Sequence, residues 1–331
     1  MDGQSLHTRR ALMKYRNLGS SGLKVSAVGL GTNQFGGKVD LRTTKEIMNT
    51  ALDAGVNLID TANIYQEGRS EEFIGKALVK RRQEAVIATK FYFPMGERPN
   101  ERGASRQHII REVEESLTRL NMDTIDLYQI HRWDAETPLQ ETMRALEDLI
   151  RSGKVRYVGA SNFSAWQLTH ANAIAELKDW SKFVSIQPHY HMFERGIEDE
   201  LLPACEYFNI GVLPYFPLAG GFLTGKYEEG ESPPEGSRGE SSEYVQSYMN
   251  PENFQTLEAL KEFARERDRD LNELAIAWLL ARPQISSVIS GATKVEHVQA
   301  NVNAVDWELS REEIEEIEGI LSADFFQRTV I

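Results

Sequence analysis

Leu58-Ile59-Asp60-Thr61-Ala62-Asn63-Ile64-Tyr65 runs from apolar residues into a carboxylate, crosses a short polar turn and arrives at a phenol. A β-strand that ends by presenting an acid and a hydroxyl reads this way. An unpaired carboxylate at a buried strand end is costly, so Asp60 needs a partner. Two apolar runs downstream end in groups that can supply one, Ala88-Thr89-Lys90 and Tyr128-Gln129-Ile130-His131.

Outward from this stretch the chain alternates. Before it, Asn17–Val25 holds two short apolar arms around a Gly/Ser turn, which predicts a β-hairpin. The buried strands are expected at 28–31, 56–60, 85–90, 125–131, 155–159, 183–187, 211–214 and 285–290. Between them lie helical periods: Ile47, Met48, Ala51 and Leu52 form one face of 44–54, stopped by Gly55, and a short helix fits 70–78. Ile109, Val113, Leu117 and Leu120 form a stripe over 105–120. Thr137-Pro138-Leu139-Gln140 and Ser164–Gln167 both read as capping boxes, the first with Pro138 at the first helical position. Further helices are expected at 197–208, 254–267, 271–281, 294–305 and 310–321. Strand–helix alternation implies parallel strands. Eight of them without a linker favour a closed α/β (β/α)8 TIM barrel with an N-terminal β-hairpin over an open sheet. No Gly-x-Gly-x-x-Gly follows a strand, which counts against a Rossmann domain. The expected layout is a ragged leader over 1–13 and one domain over 14–331. The Gly-, Pro-, Ser- and Glu-rich stretch 215–251 is the exception, long enough to be a lid or binding loop.

Composition narrows the function. The 331 residues carry 37 basic and 50 acidic groups, a net charge of −13, which argues against nucleic-acid and anionic-membrane binding. The single cysteine, Cys205, excludes an intramolecular disulfide and Cys-rich zinc sites and suits a reducing cytoplasm. It sits among apolar residues of a helix and reads as an inert buried thiol. No apolar run approaches the ~18 residues of a membrane span. The leader lacks the apolar core of a signal peptide. No self-complementary apolar patch is legible that would fix an oligomeric state.

In a (β/α)8 barrel the C-terminal strand ends share one mouth. Asp60, Lys90 and His131 would meet there, with Tyr65 in the adjoining loop. Singly, Asp60 could cap a turn, Lys90 could be a solvated strand end, Tyr65 could be core and His131 a hydrogen-bonded structural residue. Together they form a proton-transfer set. Tyrosine is a poor acid at neutral pH, with an ordinary pKa of about 10. A nearby ammonium favours the phenolate. Lys90 can supply it, Asp60 can fix Lys90, and His131 can align a carbonyl.

These motifs, with Gly159-Ala160-Ser161-Asn162-Phe163 and Tyr215-Phe216-Pro217-Leu218-Ala219-Gly220-Gly221, resemble the aldo-keto reductases. The resemblance runs from about residue 15 to 305, and is closest to bacterial members similar to voltage-gated potassium channel β-subunits. It implies a metal-free, NADPH-dependent oxidoreductase acting on a small carbonyl substrate. Tyr65 would be the general acid, tuned by Lys90 and Asp60, with His131 orienting the carbonyl. The cofactor site would comprise Thr32, Asn33, Asp60 and a carboxamide cradle of Ser161, Asn162 and Gln187, with Tyr215 stacked on the nicotinamide. Phe216, Pro217, Leu218 and Gly220 would follow in the next loop. Gly291, Thr293, His297 and Asn301 would meet the adenosine end, with Lys294 adding charge for a 2′-phosphate. Ala300 stands where many members carry a Glu beside the adenine. Lys226 and Arg238 match a pyrophosphate clasp, or else simply solvate an acidic loop. Phe35, Phe91, Tyr92 and Trp133 fall where mouth loops belong, as a substrate wall or as loop packing; Phe325-Phe326 marks a short tail. The resemblance also admits a redox-sensing binding protein of the channel-subunit type. Another barrel enzyme, such as a phosphosugar isomerase, would share the fold without binding nicotinamide.

Overall fold

The computed structural model describes residues 13–328, with side chains through Ser322. The leader apart from Met13, and the Phe325-Phe326 side chains, lie outside the described residues. The hairpin forms as expected: β1 (Tyr15–Asn17) pairs antiparallel with β2 (Lys24–Ser26). Its turn packs against the N-terminal ends of two later strands. A Cβ on Gly19 would lie 2.3 Å from the Val184 carbonyl oxygen and 2.5 Å from the Gly211 nitrogen, so only glycine allows this approach. Leu18 and Val25 join Leu58, Ala88, Leu127, Leu213 and Ile289 in an apolar cluster inside the barrel.

The barrel strands are β3 (Val28–Gly31), β4 (Leu58–Asp60), β5 (Val86–Phe91), β6 (Ile125–Ile130), β7 (Val155–Ser161), β8 (Phe183–Gln187), β9 (Gly211–Val212) and β10 (Val288–Gly291). They form one parallel sheet in the order β10-β3-β4-β5-β6-β7-β8-β9. Parallel bridges Val212↔Ile285 and Tyr215↔Ile289 join its ends, with the Ile289 N–H donating to Pro214 O at 2.9 Å. The fold is the (β/α)8 barrel that the alternation implied. A larger core, including Ile47, Met48, Ile74, Ile109, Val113 and Leu146, lies between the strands and the surrounding helices.

Local chemistry sets several boundaries. The first helix, Leu41–Asp53, starts three residues before the expected start at 44, because Asp40 accepts from the Thr43 N–H at 2.8 Å and caps it. The box at Ser164 forms, with Gln167 Oε1 accepting from the Ser164 N–H at 2.9 Å. The one at Thr137 does not. Pro138 sits at the N-cap of Leu139–Arg151, and the Thr137 hydroxyl donates to Asp134 Oδ2 at 2.7 Å instead. The expected helix 197–208 splits into a 3-10 turn, Gly196–Glu198, and a helix, Leu201–Phe208. Pro203 has no N–H to extend a helix backward and its ring would meet the carbonyl of residue 199. The stretch 215–251 holds three short pieces, a 3-10 segment Ala219–Thr224 and helices Arg238–Ser241 and Glu243–Gln246.

Candidate active site

Five strand ends converge at the mouth. Asp60 closes β4, Lys90 is the penultimate residue of β5, His131 follows β6, and Ser161 and Gln187 close β7 and β8. Tyr65 opens the 3-10 turn Tyr65–Gly68 after β4. The Lys90 ammonium is fully buried and its protons are accounted for. It donates to Asp60 Oδ1 and Oδ2 at 2.9 and 2.8 Å, to Thr61 O at 2.9 Å and to the Tyr65 hydroxyl at 3.3 Å. Gln187 Nε2 donates to Asp60 Oδ1 at 2.8 Å. The awkward carboxylate of the opening stretch is therefore paired with a charge and further hydrogen-bonded, as a buried ion pair must be.

The electrostatics follow from burial. Desolvation opposes the charge on Lys90, but Asp60 and Tyr65 more than offset it and raise its pKa above the ordinary 10.5. Desolvation also raises the Tyr65 phenol above 10.0; the Lys90 charge opposes that rise without overcoming it. His131 packs edge-on against Tyr65, with ring centroids 6.0 Å apart, and against Phe93 at 4.8 Å. Burial, helped by the Lys90 charge, holds its pKa down at about 2, so the imidazole is neutral. Its Nδ1 is buried without a partner.

A second set of polar groups adjoins the first. The Ser161 hydroxyl donates to Gln187 O at 2.8 Å. Asn162 Nδ2 donates to Ser161 Oγ and to His131 O, both at 3.0 Å, and its Oδ1 accepts from the Tyr215 hydroxyl at 2.8 Å. Thr32 is buried, its hydroxyl donating to Asp60 O at 2.8 Å, and Asn33 O accepts from Gln66 Nε2 at 2.9 Å. Both residues thus tie the loop after β3 to the Asp60–Gln66 segment. Backbone strain gathers here as well: Gln66, Glu67, Tyr92, Asn162, Phe216 and Ala219 all have positive φ. None is glycine, and such strain concentrates where surrounding structure holds a site in shape.

Farther out is a basic region. Lys226 and Lys294 are exposed and Arg238 is half-buried. Among the described residues, none of the three pairs with a carboxylate within 4.0 Å, although this chain holds 50 acidic residues. Arg238 instead lies over the Phe216 ring at 5.1 Å, and burial lowers its guanidinium pKa. Gly220 and Gly221, with φ of 67° and 110°, turn the chain between Leu218 and Lys226. Pro217 is buried and Leu218 half-buried. Beyond β10, whose last residue is Gly291, Lys294 occupies the N-cap of helix Val295–Asn303. His297 Nδ1 lies 3.3 Å from the Thr293 N–H, and Asn301 is buried on the same helix. Burial lowers the His297 pKa, and the charges of Lys294 and Lys226 lower it further, so both ammonium groups act at this point. Unpaired cations around a helix N-terminus suit an anion.

Two expected wall residues fall elsewhere. Phe91 is fully buried and stacks on Tyr128 at 4.8 Å among the helices; Phe35 is fully buried in the same outer core. Both pack the fold. Tyr92 remains at the mouth beside Phe93, and Trp133 packs on Phe163 and Trp166. Phe93 and His189 escaped the sequence reading. His189 stacks on Tyr215, with centroids 5.2 Å apart and planes 7° apart. Its signal was its place, two residues beyond Gln187 at a strand end. Cys205 is buried, and burial pushes its thiol up to about 12, so it is an inert thiol. Among the described residues no helix is long and apolar enough to cross a membrane.

Residues 27–322 match the model of the aldo/keto reductase family. A probable voltage-gated potassium channel subunit beta of Arabidopsis thaliana is 40% identical over 306 residues, covering 89% of this chain and 92% of that protein. An uncharacterized oxidoreductase of Bacillus subtilis is 38% identical over 313 residues, 91% and 93% of the two chains. A putative voltage-gated potassium channel subunit beta of Schizosaccharomyces pombe is 36% identical over 336 residues, 97% of each. With its match spanning nearly the whole barrel, the chain belongs to the aldo/keto reductase family of oxidoreductases.

Proposed function

We propose that this chain is a single-domain, cytoplasmic, NADPH-dependent reductase of aldehydes or ketones that also runs in reverse on alcohols. The observation that carries this reading is the Tyr65 hydroxyl 3.3 Å from a fully buried Lys90 ammonium, itself fixed by Asp60. A reduced nicotinamide supplies the hydride when bound. Tyr65 holds its proton at neutral pH and donates it to the carbonyl oxygen as that oxygen gains charge. Lys90 stabilises the phenolate left behind. Neutral His131 offers one N–H to the same oxygen and orients the carbonyl. Tyr92, Phe93 and Trp133 shield this step from water.

The donor set fits the cofactor. Ser161, Asn162 and Gln187 would hold a carboxamide, and Tyr215 would lie along the ring. Lys226, Arg238, Thr293 and Lys294 would hold phosphates, with Thr32, Asn33, Phe216, Pro217, Leu218, Gly220, Gly291, His297 and Asn301 completing the site. Steady-state kinetics with a panel of aldehydes, ketones and sugar derivatives tests the reading, and NADPH is expected to outperform NADH. Lys294→Ala is expected to raise KM for NADPH about tenfold, the scale of one charge-assisted contact, and to leave KM for NADH nearly unchanged. Equal wild-type efficiency with both cofactors would refute the preference.

The pH profile should be one-sided. The Tyr65 pKa lies above its ordinary 10.0, so the donor form is present through neutral pH and is lost only as pH rises past that raised value. His131, held at about 2, does not titrate in the working range. The expected kcat/KM for reduction is flat through neutrality and falls only on the alkaline side. A limb near the ordinary histidine value of 6.5 would show that His131 changes charge.

The names of the Arabidopsis and Schizosaccharomyces relatives favour a second reading, a channel partner, to which a bound nicotinamide would add redox sensing. The complete Asp60, Tyr65, Lys90 and His131 set favours turnover. Cofactor binding without turnover across the panel would favour the partner.

A further inference from the structure

Tyr215 does not hold its place alone. Its ring is stacked on His189, and the loop that leaves Tyr215 returns to that same histidine through Tyr244, on the short helix Glu243–Gln246. The Tyr244 hydroxyl hydrogen-bonds His189 Nε2. His191 Nε2 lies 2.9 Å from the Tyr244 hydroxyl, and the Tyr248 hydroxyl donates to it at 2.8 Å.

The polarity of this cluster can be assigned. The Phe193 N–H donates to His191 Nδ1 at 3.2 Å, so the proton of the neutral His191 ring is on Nε2. That proton faces the Tyr244 oxygen at 2.9 Å, with His189 Nε2 next at 3.1 Å. Tyr244 therefore gives its own proton to His189 Nε2, the remaining acceptor. Each of these donors has an acceptor, and no lone pair of His191 faces the cluster.

Contacts continue from Tyr215 to the reaction centre. Its hydroxyl donates to Asn162 Oδ1 at 2.8 Å, and Asn162 Nδ2 donates to His131 O at 3.0 Å. On the loop side, Tyr244 also stacks on Phe216 at 5.7 Å, while Arg238 lies over Phe216 at 5.1 Å. Phe216 has φ 55°, a strained conformation that needs neighbours to hold it.

We infer that His189 and Tyr244 form a latch that couples the seating of loop 215–251 to the placement of Tyr215, and that His189 is thereby a positioning residue for the nicotinamide subsite. This inference rests on the cofactor reading proposed above. The latch touches neither Tyr65 nor Lys90, so it governs cofactor residence, not proton transfer. Opening it frees the loop and releases one face of the Tyr215 ring.

Two variants isolate it. Tyr244→Phe deletes the hydroxyl and keeps the ring against Phe216. His189→Phe deletes the Nε2 acceptor and keeps an aromatic ring on Tyr215. Hydrogen exchange of amides 238–248 in the free protein and the release rate of NADPH by stopped-flow fluorescence are the readouts. Each variant is expected to exchange and to release NADPH about five- to tenfold faster, the scale of one lost buried hydrogen bond. The double variant is expected to fall well short of the product of the two single effects, because the two changes share the Tyr244–His189 bond. The rate of the hydride step in a single turnover with NADPH saturating is expected to fall by less than the release rate rises. Unaltered exchange in both singles, or effects that multiply in the double, would overturn the latch. If the wild type binds no NADPH, the cofactor reading fails while the exchange measurement still decides the latch.

Discussion

Tyr65→Phe is expected to lower kcat for carbonyl reduction by about 10²- to 10⁴-fold, the range for loss of a positioned general acid. NADPH affinity is expected to stay within about twofold, since the change removes one oxygen and the ring keeps its place beside His131. Stability should shift by no more than about 1 kcal/mol, because the lost contact is a single hydrogen bond. At 3.3 Å it is also the longest of the four that Lys90 makes. The ammonium keeps its bonds to Asp60 and Thr61. Kinetics, fluorescence titration and thermal melting together separate this outcome from a folding defect. A variant that turns over at the wild-type rate would remove the role assigned to the hydroxyl. The raised pKa of Tyr65 strengthens the expectation in one respect. A phenol that burial keeps protonated is present as donor at neutral pH, and Lys90 makes its loss of the proton less costly than burial alone would.

That arrangement was legible because charge stands out against apolar strands. Asp60, Lys90 and His131 each follow a run of buried residues, and alternation placed all three at one end of a parallel barrel. The helices were legible through their apolar faces; their ends were not. Asp40 moved one start by capping it, and Pro138 with Asp134 undid an apparent box at Thr137. Parity explains the misplacement of Phe91. Side chains alternate along a strand, and Ala88 belongs to the inner cluster, so Lys90 faces inward and Phe91 outward, onto Tyr128. The loop 215–251 has neither period, so no pattern could show that Tyr244 returns to His189. Nor does charge count predict pairing. Lys226, Arg238 and Lys294 stay unpaired among the described residues in an acidic chain, because the carboxylates lie elsewhere in space.

Lys90→Met is expected to produce the largest loss of both activity and stability. The substitution keeps the length of the stem and deletes the charge. Asp60 then remains in the barrel with the Gln187 amide as its only side-chain donor among the described residues. Removing one partner of a buried pair costs about 3–5 kcal/mol, much of it the penalty of the stranded charge. In the wild type that contribution is secure at neutral pH. Because the folded pKa of Lys90 is raised above 10.5, the stabilisation is complete below the ordinary value and is lost only as pH climbs through the raised one. The variant should behave oppositely. Its stranded carboxylate is relieved by protonation, so its stability deficit relative to wild type should shrink as pH falls. Adding Asp60→Asn should recover much of the lost stability by removing the charge while keeping a polar group beside Gln187. It should not recover kcat, because nothing then stabilises the Tyr65 phenolate. Denaturant unfolding against pH, with kcat measured on the same three proteins, decides between the roles. If the double variant regained both stability and turnover, Lys90 would be a structural counter-ion for Asp60 and the tuning of Tyr65 would have to come from elsewhere.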